Sequence, residues 1–90
     1  MIKKLNSLAE KLKVLGHPTR LEILSLLLHS VEPQAAGSFV EATGQTQSVI
    51  SQHLHWLKKE ELVKVKVDGT KRLYSIVDVE LPFITYLLNV

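Results

Sequence analysis

The sequence predicts a mainly α-helical domain with one small β-hairpin, in the order helix, helix, helix, helix, strand, strand, helix. Three observations predict it. Apolar residues recur at three- and four-residue steps from Ile2 to about Lys59, the period switches to two between Leu62 and Val77 around Asp68-Gly69, and helical spacing returns from Asp78 onward. With 90 residues, 46% of them hydrophobic and 22% charged, the composition is that of one folded domain, residues 1–90. A domain of this size buries only about 60 to 65% of the surface its unfolded chain exposes, so its core is thin unless a cross-link, a metal or a second subunit adds to it. The chain has no cysteine, which excludes disulfides, thiolate metal sites and thiol redox sensing. Association between subunits is the remaining route.

The first helix is marked by Ile2, Leu5, Leu8, Leu12 and Leu15, with Lys3, Lys4, Glu10, Lys11 and Lys13 between them, and Gly16 ends it. His17-Pro18 starts the second, because proline fits the first turn of a helix, where its missing N–H is not needed. Leu21, Ile23, Leu24, Leu26, Leu27 and Leu28 give this helix a near-continuous apolar surface, so it forms the buried centre. Residues 30–37 read as a loop punctuated by Pro33 and Gly37, followed by a short helix from Phe39 to about Thr43, capped by Ser38 with Glu41 completing a capping box. Gly44 closes that helix, and Thr46 caps a longer one through about Lys59. Two helices joined by a Gly-containing turn of about three residues make a helix-turn-helix candidate.

After it, Lys64 and Lys66 alternate with Val63, Val65 and Val67, and Arg72, Tyr74 and Ile76 alternate with Leu73, Ser75 and Val77. The hairpin tip, with Thr70, Lys71 and Arg72, is basic. The final stretch, residues 78–90, packs Leu81, Phe83, Ile84, Tyr86, Leu87, Leu88 and Val90 into a short helix that tolerates Pro82 in its first turn. Residues 1–16 and 78–90 carry more large apolar side chains than one small protomer covers. They are expected to pair across a two-fold axis through Leu5, Leu8, Leu12, Phe83, Ile84, Leu87 and Leu88.

The chemistry sits on residues 46–59. At about 100° per residue, His53, Leu54 and Leu57 fall within about 60° of Ile50 and form an inward stripe. Ser48, Ser51, Gln52, His55 and Lys59 fall on the opposite side, and no acid lies among them. Such a face suits a major groove, where glutamine pairs bidentately with adenine and serine hydroxyls serve bases or phosphates. Thr46, Gln47 and Ser48 at the helix start add free backbone N–H groups for a phosphate oxygen. A solvated polar face has the same composition, and basic hairpin residues alone also protect an edge strand from aggregation.

The net charge is only +2, but residues 45–77 carry six basic side chains against three acidic, while the rest of the chain carries five against six. The juxtaposition of polar helix and basic hairpin favours double-stranded DNA as the partner, with Lys58, Lys59, Lys66, Lys71 and Arg72 supplying salt-dependent contacts. Trp56 lies between the two faces of its helix and reads as a packing residue. Arg20 has Glu22 and Glu41 as available partners, or a phosphate, and the sequence does not choose.

Four histidines invite a metal reading, but His53 and His55 are two apart on a helix and point about 160° from each other, too far for one ion. His53 is expected to pack inward with a hydrogen-bond partner and His55 to face DNA, where its protonation near pH 6 would strengthen phosphate binding. His17 reads as a helix-start residue. Asp68 in a turn and Asp78 at a helix start are the only aspartates, and no nucleophile-base-acid order, phosphate loop or carboxylate pair is visible, so no enzyme is expected. No apolar run reaches the roughly 18 residues of a membrane span, and Met1-Ile2-Lys3-Lys4-Leu5 opens an amphipathic pattern rather than a signal peptide. A cytoplasmic protein is expected.

The segment Leu15-Gly16-His17-Pro18-Thr19-Arg20-Leu21-Glu22-Ile23-Leu24 resembles the ArsR/SmtB family of winged-helix repressors. So do Glu41-Ala42-Thr43-Gly44, Gln47-Ser48-Val49-Ile50-Ser51-Gln52-His53-Leu54, Leu57, Leu62-Val63, Asp68-Gly69 and Tyr74-Ser75-Ile76. The resemblance runs from about Leu12 to Ile76. It implies a winged helix-turn-helix fold and a homodimeric transcriptional repressor that reads an inverted-repeat operator, with residues 46–59 in the major groove and 62–77 as the wing. It also implies a chemical inducer, whose nature the sequence leaves unknown. The family's thiolate motif would fall near Ala35 and Gly37, which cannot ligate, and its terminal-helix zinc site needs histidines that residues 78–90 lack. No metal or other cofactor is expected at either place. The alternative is a winged-helix module that binds a protein through the same surface.

Overall fold

Local chemistry sets the joints of the chain, whose computed structural model describes residues 1–89. The elements are α1 (Ile2–Leu15), α2 (Pro18–Leu28), α3 (Ala36–Thr43), α4 (Gln47–Lys59), β1 (Val63–Asp68), β2 (Lys71–Ile76) and α5 (Leu81–Leu88), the last entered through a single 3₁₀ turn at Asp78–Glu80. Val90, expected at the end of the last helix, lies outside the described residues. His17 caps α2, its Nδ1 accepting from the Thr19 N–H at 3.2 Å, and Pro18 occupies the first turn. Gly44 takes a left-handed φ of 72° at the end of α3, a conformation that costs a glycine little.

The core gathers around α2. Ile23 and Leu24 are fully buried, and Phe39, Ile50, Leu54, Leu57, Leu62, Val63 and Ile76 close over them from α3, α4 and the hairpin. Each such side chain contributes about 1.5 to 3 kcal/mol on burial. α4 ends in a Schellman motif built without glycine. The Leu62 N–H donates to the Leu57 carbonyl at 3.0 Å and the Glu61 N–H to the Lys58 carbonyl at 2.9 Å, while Glu61 holds φ at 57°. Leu57 and Leu62, the two ends of that motif, are both fully buried and turn the chain into β1.

Three expectations are corrected. The short helix begins at Ala36 rather than Phe39, and Ser38 lies inside it, donating to Gln34 Oε1 at 2.9 Å instead of capping. Its start is set from outside: the Gln34 and Tyr74 backbones exchange hydrogen bonds of 2.9 and 2.8 Å, which pins the chain just before the helix to the hairpin. In the hairpin, Asp68 pairs with Lys71, so the turn is Gly69-Thr70, one residue later than Asp68-Gly69, with Gly69 at φ 65°. Ile84, expected between subunits, is fully buried in the protomer's own core, because α5 packs against α2. Phe83, Leu87 and Leu88 are half-buried against the same core. By contrast, α1 leaves Ile2, Leu5, Leu8 and Leu12 at 72, 55, 44 and 47% exposure.

Candidate nucleic-acid interface

α4 presents Gln47, Ser48, Ser51, Gln52, His55, Lys58 and Lys59 to solvent, and Ile50, His53, Leu54 and Leu57 to the interior. Thr46 is its N-cap, Oγ1 accepting from the Val49 N–H at 3.2 Å, which leaves the remaining first-turn N–H groups open. The turn between α3 and α4 is tied down by Gln45, whose Nε2 donates to Oγ1 of the buried Thr19 at 2.6 Å. The outward face is therefore carried on a helix fixed at both ends.

The hairpin register divides its basic residues between two faces. Paired residues in an antiparallel ladder share a face, so Arg72 lies with Val67, Val65 and Tyr74, whereas Lys64, Lys66, Lys71 and Leu73 lie on the other side. Arg72 and Tyr74 turn towards α4. With Ser51, Leu54, His55 and Lys58 they line a groove of about 340 Å³ between helix and wing. Lys66, Thr70 and Lys71 are exposed on the hairpin without joining that groove. Lys59, assigned to the same outward face by the helical spacing, sits elsewhere: its Nζ is 5.0 Å from the centre of the Trp56 ring, and it lines a cleft with Lys3, Lys4 and Lys11 of α1. The attraction of an ammonium for an indole face draws it there. Tyr74 is the groove residue that the strand pattern did not single out.

Behind α4, Arg20 pairs with neither glutamate. Its Nε donates to His53 Nδ1 at 3.1 Å and its NH1 donates to the Val14 carbonyl at 3.1 Å. The rings of His17 and His53 lie 4.4 Å apart between centroids. Burial, then His17, then Arg20 hold the His53 pKa below its ordinary 6.5. His53 is thus a neutral packing residue with a hydrogen-bond donor facing it. Trp56 is 40% exposed, with Arg20 and Lys59 near its ring.

A family model described as bacterial regulatory protein, arsR family, matches residues 17–65, from the α2 cap to the first wing strand. The chain belongs to the ArsR family. This ArsR-family protein is similar to an uncharacterised HTH-type transcriptional regulator of Methanocaldococcus jannaschii, with 38% identity over 77 residues, 86% of this chain and 85% of that protein. It is also similar to the arsenical resistance operon repressor of Staphylococcus xylosus, with 35% identity covering 88% of this chain and 74% of that one. Among solved structures, HlyU from Vibrio cholerae superposes with a TM-score of 0.87 at 28% identity, over 99% of this chain and 96% of that one. A homodimeric winged helix-turn-helix DNA-binding domain from Mycobacterium bovis gives 0.86 at 28% identity, over 96% of this chain and 79% of that one. The protein is therefore a transcriptional regulator of the ArsR family with a winged helix-turn-helix DNA-binding fold, in which α3 and α4 are the helix-turn-helix and β1–β2 the wing.

Proposed function

We propose that the protein is a homodimeric repressor that binds an inverted-repeat operator, α4 entering the major groove and the wing following the flanking backbone. The observation that carries this reading is the acid-free outer face of α4, continuous through a groove with Arg72 and Tyr74 of the wing. Gln52 and Ser51 read base edges, Thr46, Gln47 and Ser48 seat a phosphate at the helix start, and His55, Lys58, Lys66, Thr70, Lys71 and Arg72 hold the backbone. Lys59 contributes at most long-range charge. The uncovered stripe Leu5, Leu8 and Leu12 supports dimerisation, with Phe83, Leu87 and Leu88 at its margin and Ile84 excluded. Two copies of α4 in successive major grooves stand about 34 to 36 Å apart, which is why the operator is an inverted repeat.

Repression is one of two outcomes within the family: one relative is named a repressor, and another, 30% identical, the transcriptional activator HlyU of Vibrio cholerae. Occupancy of a promoter by the DNA-binding domain suffices for repression, which is why repression is the proposed outcome. Among the described residues of one protomer no three His, Asp or Glu side chains are grouped as a metal site requires.

Fluorescence anisotropy with duplex DNA from upstream of the protein's own gene, against a scrambled duplex at two salt concentrations and with and without zinc, tests the reading. Sequence-selective, salt-dependent binding indifferent to zinc is expected. Equal, weak binding to both duplexes would instead favour a winged-helix module that recognises a protein.

A further inference from the structure

The contacts of Arg20 join three helices at the point where α1, α2 and α4 meet. At the end of α1 the Val14 carbonyl has no helical partner, because the residue four places on is Pro18, which has no N–H. Arg20 NH1 supplies that partner at 3.1 Å, and a cation at a helix C-terminus is favourably placed in its dipole. The same guanidinium donates through Nε to His53 Nδ1 on α4 at 3.1 Å, and its carbon lies 6.0 Å from the Trp56 ring centre, one turn further along α4. One side chain of α2 therefore fixes the helix proposed to read DNA against the helix proposed to dimerise.

An arginine N–H can only donate, so His53 Nδ1 must be the accepting, unprotonated nitrogen. A proton there sets donor against donor and cation against cation at hydrogen-bond distance. The charged and titratable groups that face His53 are Arg20 and His17, both from the start of α2. From α1 only the Val14 backbone carbonyl reaches the cluster, and on α4 His55 projects to the other side. The ion pairs among the described residues, Lys11 with Glu80 and Lys64 with Asp78, leave Arg20 without a carboxylate to soften the repulsion.

We propose that Arg20 is the positioning residue that sets α4 relative to α1, and that protonation of His53 opens this latch, so that DNA binding weakens under mild acid. The inference rests on α4 being the DNA-reading helix. Its sign opposes that of His55, whose protonation on the outer face adds a cation beside the phosphates.

The chain's single tryptophan reports on the latch without any DNA, so failure of the latch and failure of the DNA reading are separable. Trp56 emission is recorded from about pH 7.5 to about pH 5 for the wild type, for His55→Asn and for the protein carrying both His53→Asn and His55→Asn, with circular dichroism confirming the fold of each. Asparagine at 53 keeps an acceptor where Nδ1 was and cannot titrate. The His55 ring also lies against the reporter, 5.6 Å from the Trp56 ring between centroids, so the latch is read in a His55→Asn background. The expected result is an emission transition with a midpoint below the ordinary histidine value in His55→Asn, absent once His53→Asn is added. Arg20→Lys, which cannot hold both acceptors in the same geometry, is expected to show the acid-form emission already at neutral pH.

In anisotropy with the duplex from upstream of the protein's own gene, wild-type affinity relative to His53→Asn is expected to fall by about threefold to tenfold over the same pH range, His55 being common to both. A transition that survives in the protein carrying both His53→Asn and His55→Asn, or an Arg20→Lys protein with wild-type emission and affinity at neutral pH, would overturn the proposal. So would affinities of the wild type and His53→Asn that change in parallel with pH. A wild type with the expected emission transition but no affinity for either duplex would overturn only the DNA arm.

Discussion

At the residue scale, the proposed complex divides the outer side chains of α4 into those that discriminate and those that only attract. Gln52 is exposed on a rigid helix and carries both a donor and an acceptor, so its loss removes a directional pair. Gln52→Ala is expected to cost about 1 to 3 kcal/mol on the preferred site and little on a scrambled duplex, as read by competitive anisotropy. A preference that survives the substitution would remove Gln52 from the base-reading set. Arg72 offers a delocalised charge beside Ser51, His55 and Lys58, and in the proposed complex this places it nearer a phosphate than Lys71 on the opposite hairpin face. Arg72→Ala is therefore expected to weaken binding to all sequences more than Lys71→Ala does, and to flatten the log-affinity against log-salt slope by about one. Equal losses would mean that the wing meets DNA with its other face. The inward lean of His53 was legible from helical spacing, but its donor was not, because Arg20 lies 33 residues away and spacing along one helix carries no information about the helix behind it. For Lys59 the spacing gives only a direction, and the indole of Trp56 on the same helix draws its flexible side chain aside.

At the element scale, every helix and both strands were legible: periodicity marks α1, α4 and the hairpin, where burial of one face imprints the 3.6 and 2 repeats, while proline, glycine, cap residues and dense apolar runs mark α2, α3 and α5. Boundaries set by contacts from elsewhere were not legible. The start of α3 depends on a backbone pairing between Gln34 and Tyr74, and neither residue carries a local signal for it. The end of α4 is legible at about Lys59, where the structure has it, but its Schellman cap is not, since glycine is the usual occupant of the left-handed position filled by Glu61. That residue makes no ion pair among those of the described residues and holds φ at 57° against the preference of a residue with a Cβ. Glu61→Gly is expected to stabilise the fold by up to about 1 kcal/mol, seen as a higher midpoint in urea with an unchanged slope, the relief of the strained φ outweighing the added freedom of the unfolded chain. Destabilisation would show that the Glu61 side chain contributes more to the α4–β1 corner than its backbone costs.

At the scale of the whole molecule, the decisive feature is the contrast between the two terminal helices. From the sequence, large apolar side chains give both the same expected dimer role. In the fold, α5 turns Ile84 into the core, while the outward row of α1 has nothing over it within the protomer, on a molecule 41 Å long and about 25 Å across. The proposed cover for that exposed row is a second α1, the complementary surface that two-fold symmetry supplies. Leu5→Glu and Ile84→Glu separate the two roles. Leu5 is 55% exposed, so the charge at 5 leaves the protomer core intact and is expected to halve the mass seen by light scattering while the circular dichroism spectrum keeps its helical shape. Ile84 is fully buried, and an unpaired carboxylate there is expected to unfold the domain outright. A Leu5→Glu monomer retains one intact α4 and wing, yet it loses the second half-site's contribution, which linkage within a dimer multiplies by about a hundredfold or more. Its affinity for an inverted repeat is therefore expected to drop to that of a single half-site. If Leu5→Glu remained a dimer with undiminished affinity, the subunits would have to meet through a surface other than α1.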